Sequence, residues 1–181
     1  MFIQILAVVH NASTLLFGIY CSAFFLGVKS NKKNILTLFL IFCIQGGLYL
    51  SIFLPFGTSV AQQAYPLIVH LPLILFLSLH YKYPLISSSI SVFSAYLCCQ
   101  LSNWIGLLIL DVTGIDWCYY SARILTTLGT FIFLYRYVFC STRAIFAKDT
   151  RELSIIGFLP FVYYIFDYAV TKFSSLLYSG N

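Results

Sequence analysis

Residues 35–54 read ILTLFLIFCIQGGLYLSIFL, an uninterrupted run without a charged side chain. A helix needs about 20 apolar residues to cross the hydrocarbon core of a bilayer, and this run has that length. Apolar and polar residues do not alternate along it, as they would in a strand of a membrane barrel. The run therefore predicts a transmembrane α-helix, in which every backbone hydrogen bond is made within the segment.

The remainder of the chain has the same character. Of its 181 residues, 61% are hydrophobic and 8% are charged, and the mean hydropathy is +0.94. Soluble domains carry about 25% charged residues, so a water-exposed globule of this composition could not cover its apolar surface. The composition predicts an all-α, polytopic membrane helix bundle in contact with the lipid bilayer, and it leaves no segment for a soluble domain.

Six apolar runs predict about six transmembrane helices in one domain, residues 1–181. The predicted spans are residues 5–28, 35–54, 67–80, 85–110, 119–138 and 153–177. After the second span, the turn-like residues 55–58 and a polar stretch with Gln62 and Gln63 predict a loop. Pro66 then fits the first turn of the third helix, where its missing N–H is not needed.

The basic residues lie mostly at one set of helix ends. One side of the predicted bundle has only Arg123 and Lys172. The other side carries Lys29, Lys32, Lys33, Lys82, Arg136, Arg143, Lys148 and Arg151. Because short loops rich in Lys and Arg stay in the cytoplasm, this asymmetry predicts a multi-pass protein of the cell membrane with its N-terminus outside. The same loops account for the formal net charge of +5, and we expect no nucleic-acid partner because no basic cluster is interleaved with aromatic residues.

Asp167 is the only acid well inside a predicted span. An ionised side chain at the centre of a membrane helix costs about 2.5–3.5 kcal/mol on insertion scales, so it needs a partner or a function. Tyr163 and Thr171 lie one turn away on the same helical face. One interpretation is a ligand-contact or proton-sensitive group that faces the bundle interior. The other is a structural carboxylate, hydrogen-bonded within the bundle or helped by Lys172 near the outer boundary.

His70 lies one turn into the predicted third helix, two residues before Pro72. A proline inside a helix removes a hydrogen-bond donor and clashes with the carbonyl four residues earlier, so we expect a kink near His70. A kinked helix with a buried histidine could form a binding pocket or a hinge. The alternative is an ordinary histidine whose hydrogen bonds are satisfied within the bundle.

Tyr96, Gln100 and Asn103 stand at i, i+4 and i+7 in the predicted fourth helix and form one continuous stripe. Amide side chains that bond across membrane helices stabilise bundles by about 0.6–2 kcal/mol, so helix packing is one explanation of the stripe. Contact with a ligand is the other.

Cysteine and histidine patterns do not support catalysis or metal binding. The six cysteines include no CxxC pair and fall mostly inside apolar runs, where a buried thiol behaves as a small hydrophobic group. A membrane cysteine peptidase needs a thiol and an imidazole within hydrogen-bonding reach. No histidine and cysteine lie close in sequence at the predicted cytoplasmic face, and His80 and Cys140 could meet only through tertiary contact. We therefore expect no enzyme activity, catalytic residue, metal site or cofactor in this chain.

Three stretches carry a resemblance to a known family. They are residues 65–73 (YPLIVHLPL), residues 95–104 (AYLCCQLSNW), and residues 160–169 (PFVYYIFDYA) followed by residues 176–181 (LLYSGN). Together they resemble the membrane-embedded N-terminal sensor region of bacterial GHKL-type sensor histidine kinases, as found in Firmicutes. The resemblance implies a signal-input module of a two-component system that works as a homodimer and responds to a small-molecule or peptide signal.

The relatives continue through another span, a phosphoacceptor-histidine helix and a cytoplasmic ATP-binding domain. This sequence holds none of those parts, so we expect the chain itself to lack kinase activity. The signal-contact candidates are Asp167, His70, Gln100, Asn103, Tyr96 and Tyr163. The rival hypotheses are a small transporter or permease component, with the same polar residues around a midplane pathway, and an inactive truncated remnant.

Overall fold

The computed structural model describes residues 2–146 and 150–173. Within those ranges the secondary structure is helical, and the prediction of an all-α bundle is confirmed. The helices are α1 (Phe2–Phe25), α2 (Lys32–Tyr65), α3 (Leu71–His80), α4 (Leu85–Thr113), α5 (Asp116–Phe133), α6 (Phe139–Phe146) and α7 (Thr150–Phe173). A single turn of π-helix, Pro66–His70, leads into α3, and a second, Leu134–Val138, joins α5 to α6.

Five described segments are long and apolar enough to cross a membrane: Phe2–Phe25, Lys32–Gly57, Gln63–His80, Leu85–Thr113 and Asp116–Thr142. They coincide with the first five predicted spans, and the chain is a membrane protein. The sixth predicted span overlaps α7 as far as Phe173, but the described part of α7 is not among those five segments. Its last residues, 174–177, lie outside the described residues, as does Lys148, and so do the side chains of Arg143, Thr171 and Lys172.

The predicted loop after residue 54 differs from the structure. The helix instead runs on to Tyr65 and changes direction at one residue, Gly57, which has φ 79° and ψ −178°. This backbone conformation is accessible to glycine because it has no Cβ. Pro55, two residues earlier, already lacks a backbone donor. A one-residue break lets the segment through Tyr65 regain its helical hydrogen bonds, whereas an open loop would leave these backbone groups to find other partners.

The irregularity expected near Pro72 takes the form of a π-helical turn. The Leu71 N–H bonds to the Pro66 carbonyl, five residues earlier. The second π-turn repeats the pattern, with the Phe139 N–H bonded to the Leu134 carbonyl. It carries the fifth helix past its predicted end at residue 138 and on to Phe146. Single π-turns inside helices occur frequently at functional sites.

Helix α4 lies at the centre of the bundle, packed against α1, α3, α5 and α7. Its serine-rich first turns face inward, and Ser87, Ser88 and Ser91 are all buried. Small residues let membrane helices approach closely. Close van der Waals packing then drives helix association in lipid, where the hydrophobic effect does not. On the outside, Leu54 and Val112 are among the exposed apolar side chains that provide a lipid-facing surface.

The contact between α7 and α4 has a direct test at Gly157. A Cβ at this position would overlap the side chain of Ile90, which is buried in α4. Gly157→Ala should therefore destabilise the bundle by about 1–3 kcal/mol, the usual cost of overpacking. The matched control is Gly129→Ala in α5, where a Cβ meets no atom within 4 Å and the helix should gain up to about 1 kcal/mol. Thermal unfolding of the two variants in detergent measures the difference, and equal unfolding temperatures would contradict this packing.

Candidate functional site

The carboxylate of Asp167 is the centre of a polar cluster between α4 and α7. The Tyr96 hydroxyl donates a hydrogen bond to Asp167 Oδ2 at 2.5 Å. The Gln100 amide Nε2 donates to the same oxygen at 3.2 Å. Tyr96 and Gln100 are one helical turn apart, so their side chains reach this oxygen from one face of α4. The acid predicted to need a partner at membrane depth therefore has at least two neutral donors.

Asn103 extends the cluster by one more turn of α4. Its Nδ2 donates to Gln100 Oε1 at 3.4 Å, the long end of the hydrogen-bond range. Gln100 thus donates through its nitrogen to Asp167 and accepts through its oxygen from Asn103. The stripe predicted from sequence spacing is a connected network that begins at the carboxylate.

His70 joins the same cluster from the π-turn before α3. Its Nδ1 is hydrogen-bonded to the Tyr164 hydroxyl at 2.8 Å. Three tyrosine rings surround the imidazole, with centroid distances of 5.1 Å to Tyr65, 5.5 Å to Tyr96 and 5.2 Å to Tyr164. Because Tyr96 also bonds to Asp167, the histidine and the carboxylate belong to one assembly. The π-turn before α3, helix α4 and helix α7 each contribute to it.

Tyr163 occupies a different part of α7. It precedes Asp167 by one helical turn and lies near the Trp104 side chain of α4. The residue that reaches the histidine is its neighbour Tyr164. Tyr164 lies three residues before Asp167, a spacing that also places two side chains on one helical face. That spacing was the available signal, but it does not single out one tyrosine in a chain that is 19% aromatic.

Gln45 was not predicted as part of the site, yet it fixes the π-turn in place. Its side-chain Nε2 donates to the Val69 carbonyl at 3.1 Å, and the amide is buried between α2 and the turn. The Val69 carbonyl lies inside the π-turn, so this hydrogen bond connects the turn to α2. Val69, the residue before His70, is therefore held by α2. The imidazole is positioned both by this backbone contact and by its own hydrogen bond to Tyr164.

The cluster combines hydrogen-bonding groups with aromatic faces. Asp167, His70 and the amides offer acceptors and donors within a wall of aromatic rings. Such a surface suits a ligand with a polar or cationic group on an apolar body, because aromatic faces also attract cations. Among the described residues, no group of three or more His, Cys, Asp or Glu side chains could hold a metal ion. The expectations of no enzyme activity and no cofactor stay predictions.

Comparisons with known proteins give no match. No protein-family model, curated protein or solved structure matches this chain. The resemblance to sensor histidine kinases is therefore an expectation from sequence, and function has to be argued from the geometry of the cluster.

The bond between Tyr96 and Asp167 can be measured with a double-mutant cycle. We expect Tyr96→Phe and Asp167→Leu to show a coupling free energy of about 0.6–1.7 kcal/mol, the range found for hydrogen bonds between membrane helices. The free energy of unfolding in detergent micelles is the measured quantity. The control replaces Tyr96→Phe with Tyr137→Phe, the same chemical change at a side chain that is 67% exposed. This control cycle should give no coupling, and the assignment fails if both cycles give the same value.

Proposed function

We propose that this chain is a membrane-embedded signal-input module of the kind found in GHKL-type sensor histidine kinases. The observation that carries the proposal is the convergence of Asp167, Tyr96, Gln100 and His70 from three helices on one cluster. The signal is a small molecule or peptide with a polar or cationic group, and it contacts this cluster. The module is a multi-pass protein of the cell membrane with its N-terminus outside, and it works as a homodimer.

The proposed transmission step uses the π-turn Pro66–His70. His70 is held by Tyr164 of α7, while Gln45 of α2 holds the carbonyl of Val69. A signal that displaces Tyr164 or Asp167 removes a contact that favours the π-turn. Conversion of such a turn to α-helical hydrogen bonding shifts the register of the helix that follows it. In this chain that helix is α3, which ends at His80 beside the predicted cytoplasmic loop with Lys82.

A transporter is the second candidate, and the π-turn Pro66–His70, which interrupts the span Gln63–His80, favours it. Secondary transporters place their substrate sites at broken helices near the midplane of the bilayer. Such a protein would move solute by itself. Solute uptake by proteoliposomes that contain only this chain would support the transporter and count against the sensor.

The native gene provides the main test of the sensor proposal. We expect its reading frame to continue beyond the codon for Asn181 into a seventh span and a histidine-kinase core. We also expect the intact product to autophosphorylate in isolated membranes. Asp167→Asn should change the rate of autophosphorylation by about fivefold or more, since allosteric coupling free energies begin near 1 kcal/mol.

The matched control is Asp111→Asn, the same substitution at an exposed position near the end of α4. It should leave the rate unchanged. The proposal fails if the frame stops at that codon, or if the two substitutions have equal effects.

A further inference from the structure

A second polar cluster lies around Arg123 of α5, which packs against α4 as α7 does. Arg123 follows the first residue of α5, Asp116, by seven positions, which is about two helical turns. Its Nη1 donates to the hydroxyl of Tyr119, and its guanidinium carbon lies 5.0 Å from the centroid of that ring. Both contacts come from the neighbouring turn of its own helix, and neither carries a negative charge.

The stem of Arg123 is fixed against α4. A Cβ at Gly106 would overlap its Cγ and Cδ atoms. Glycine at this position therefore lets the arginine pack directly against the backbone of α4. The side chain is only partly buried as a whole, but its Nε is buried and has no hydrogen-bond partner. The guanidinium is held inside the helix bundle with one donor unused.

Two further polar side chains near Arg123 have unused atoms. His10 of α1 packs against α5, with its ring centroid 6.3 Å from that of Tyr120, three residues before Arg123. His10 is 3% exposed, and its Nδ1 has no hydrogen-bond partner. Thr127 lies one turn after Arg123, is also 3% exposed, and its hydroxyl has no partner either. Unused buried polar atoms are rare in folded proteins and call for an explanation.

The positive charge of Arg123 is a second indication that this cluster binds another group. Cationic side chains inside a membrane are rare, and those that occur pair with an acid or with backbone carbonyls, or mark a pathway or site. Across residues 2–146 and 150–173, the structure gives Arg123 no carboxylate partner. The described acid inside the bundle, Asp167, accepts its hydrogen bonds on the α7 side of α4. A guanidinium presents several N–H donors in one plane, which matches the oxygens of a carboxylate or phosphate.

We propose that Arg123, with His10 and Thr127, binds an anionic oxygen group, a carboxylate or a phosphate, between α1 and α5. The group enters from the membrane half that contains the Asp116 end of α5. It belongs to a lipid headgroup or to a soluble anion, and the chemistry recognised is the same in both cases. This proposal stands on contacts separate from those of Asp167 and does not depend on the sensor assignment.

The experiment measures the thermal transition of the full chain in nanodiscs, followed by intrinsic tryptophan fluorescence. The discs are made of phosphatidylcholine alone or with added phosphatidylglycerol. A third sample adds inorganic phosphate to the phosphatidylcholine discs. We expect an anion that occupies the site to raise the transition temperature by about 4 °C or more. A rise with phosphatidylglycerol alone identifies a lipid headgroup as the source, and a rise with inorganic phosphate identifies a soluble anion.

Arg123→Gln should abolish the rise in temperature. The matched control is Arg136→Gln, the same substitution at an exposed arginine in the π-turn that extends α5. It should keep the rise, which separates the site from general attraction of anions to a basic protein. The proposal is overturned if no anion raises the transition temperature of the unaltered chain, or if both arginine substitutions reduce the rise equally.

If Arg123→Gln does not fold, His10→Ala and Thr127→Val provide the test, since both keep the guanidinium. Each should reduce the rise to less than half of its original size. A full rise in both variants would overturn the proposed site.

Discussion

Hydrocarbon offers no hydrogen-bond partner, so a polar group at membrane depth must find its partner within the protein. The helices of this chain meet that requirement for the backbone. Several side chains meet it by bonding back to their own helix, as the Ser22 hydroxyl does to the Gly18 carbonyl and Ser102 does to Cys99. Asp167 and the Gln45 amide nitrogen bond to other helices instead, while Gln45 Oε1 has no hydrogen-bond partner among the described residues. Their bonds cross from one helix to another and therefore fix which helices are neighbours.

The bonds that cross between helices are concentrated around the π-turn Pro66–His70. Gln45 holds the backbone of this turn from α2, and Tyr164 holds its histidine from α7. A π-turn has one residue more than the equivalent stretch of α-helix, so it persists where contacts with neighbours outweigh its poorer geometry. Here the stabilising contacts and the polar cluster are the same residues. A change in the cluster therefore alters the contacts that hold the π-turn, and α3 starts directly after that turn.

The sequence predicts the helices well because hydrophobicity is a local property and the bilayer sets their length. It does not predict the break at Gly57, because residues 55–58 look like a turn, and the choice between a loop and a one-residue break depends on what surrounds them. The sequence likewise predicts only part of the candidate site. Asp167 and the stripe from Tyr96 to Asn103 stand out because they are polar at membrane depth. Tyr164 does not stand out, since its role depends on the position of His70 in another helix.

The two polar clusters beside α4 differ in how complete they are. The carboxylate of Asp167 has hydrogen-bond donors from α4, so the protein itself supplies what the charge requires. The guanidinium of Arg123 has a phenol and an aromatic face, and unused atoms of His10 and Thr127 lie around it. An ionised side chain away from water carries a free-energy cost that a partner offsets. In the described structure, the first cost is offset by internal hydrogen bonds, so a ligand at Asp167 must compete with them. The second is offset only in part, because Arg123 Nε and the unused atoms of His10 and Thr127 keep hydrogen-bonding capacity that an anion would use. The arrangement at Asp167 suits a signal switch, and the arrangement at Arg123 suits a tightly bound anion.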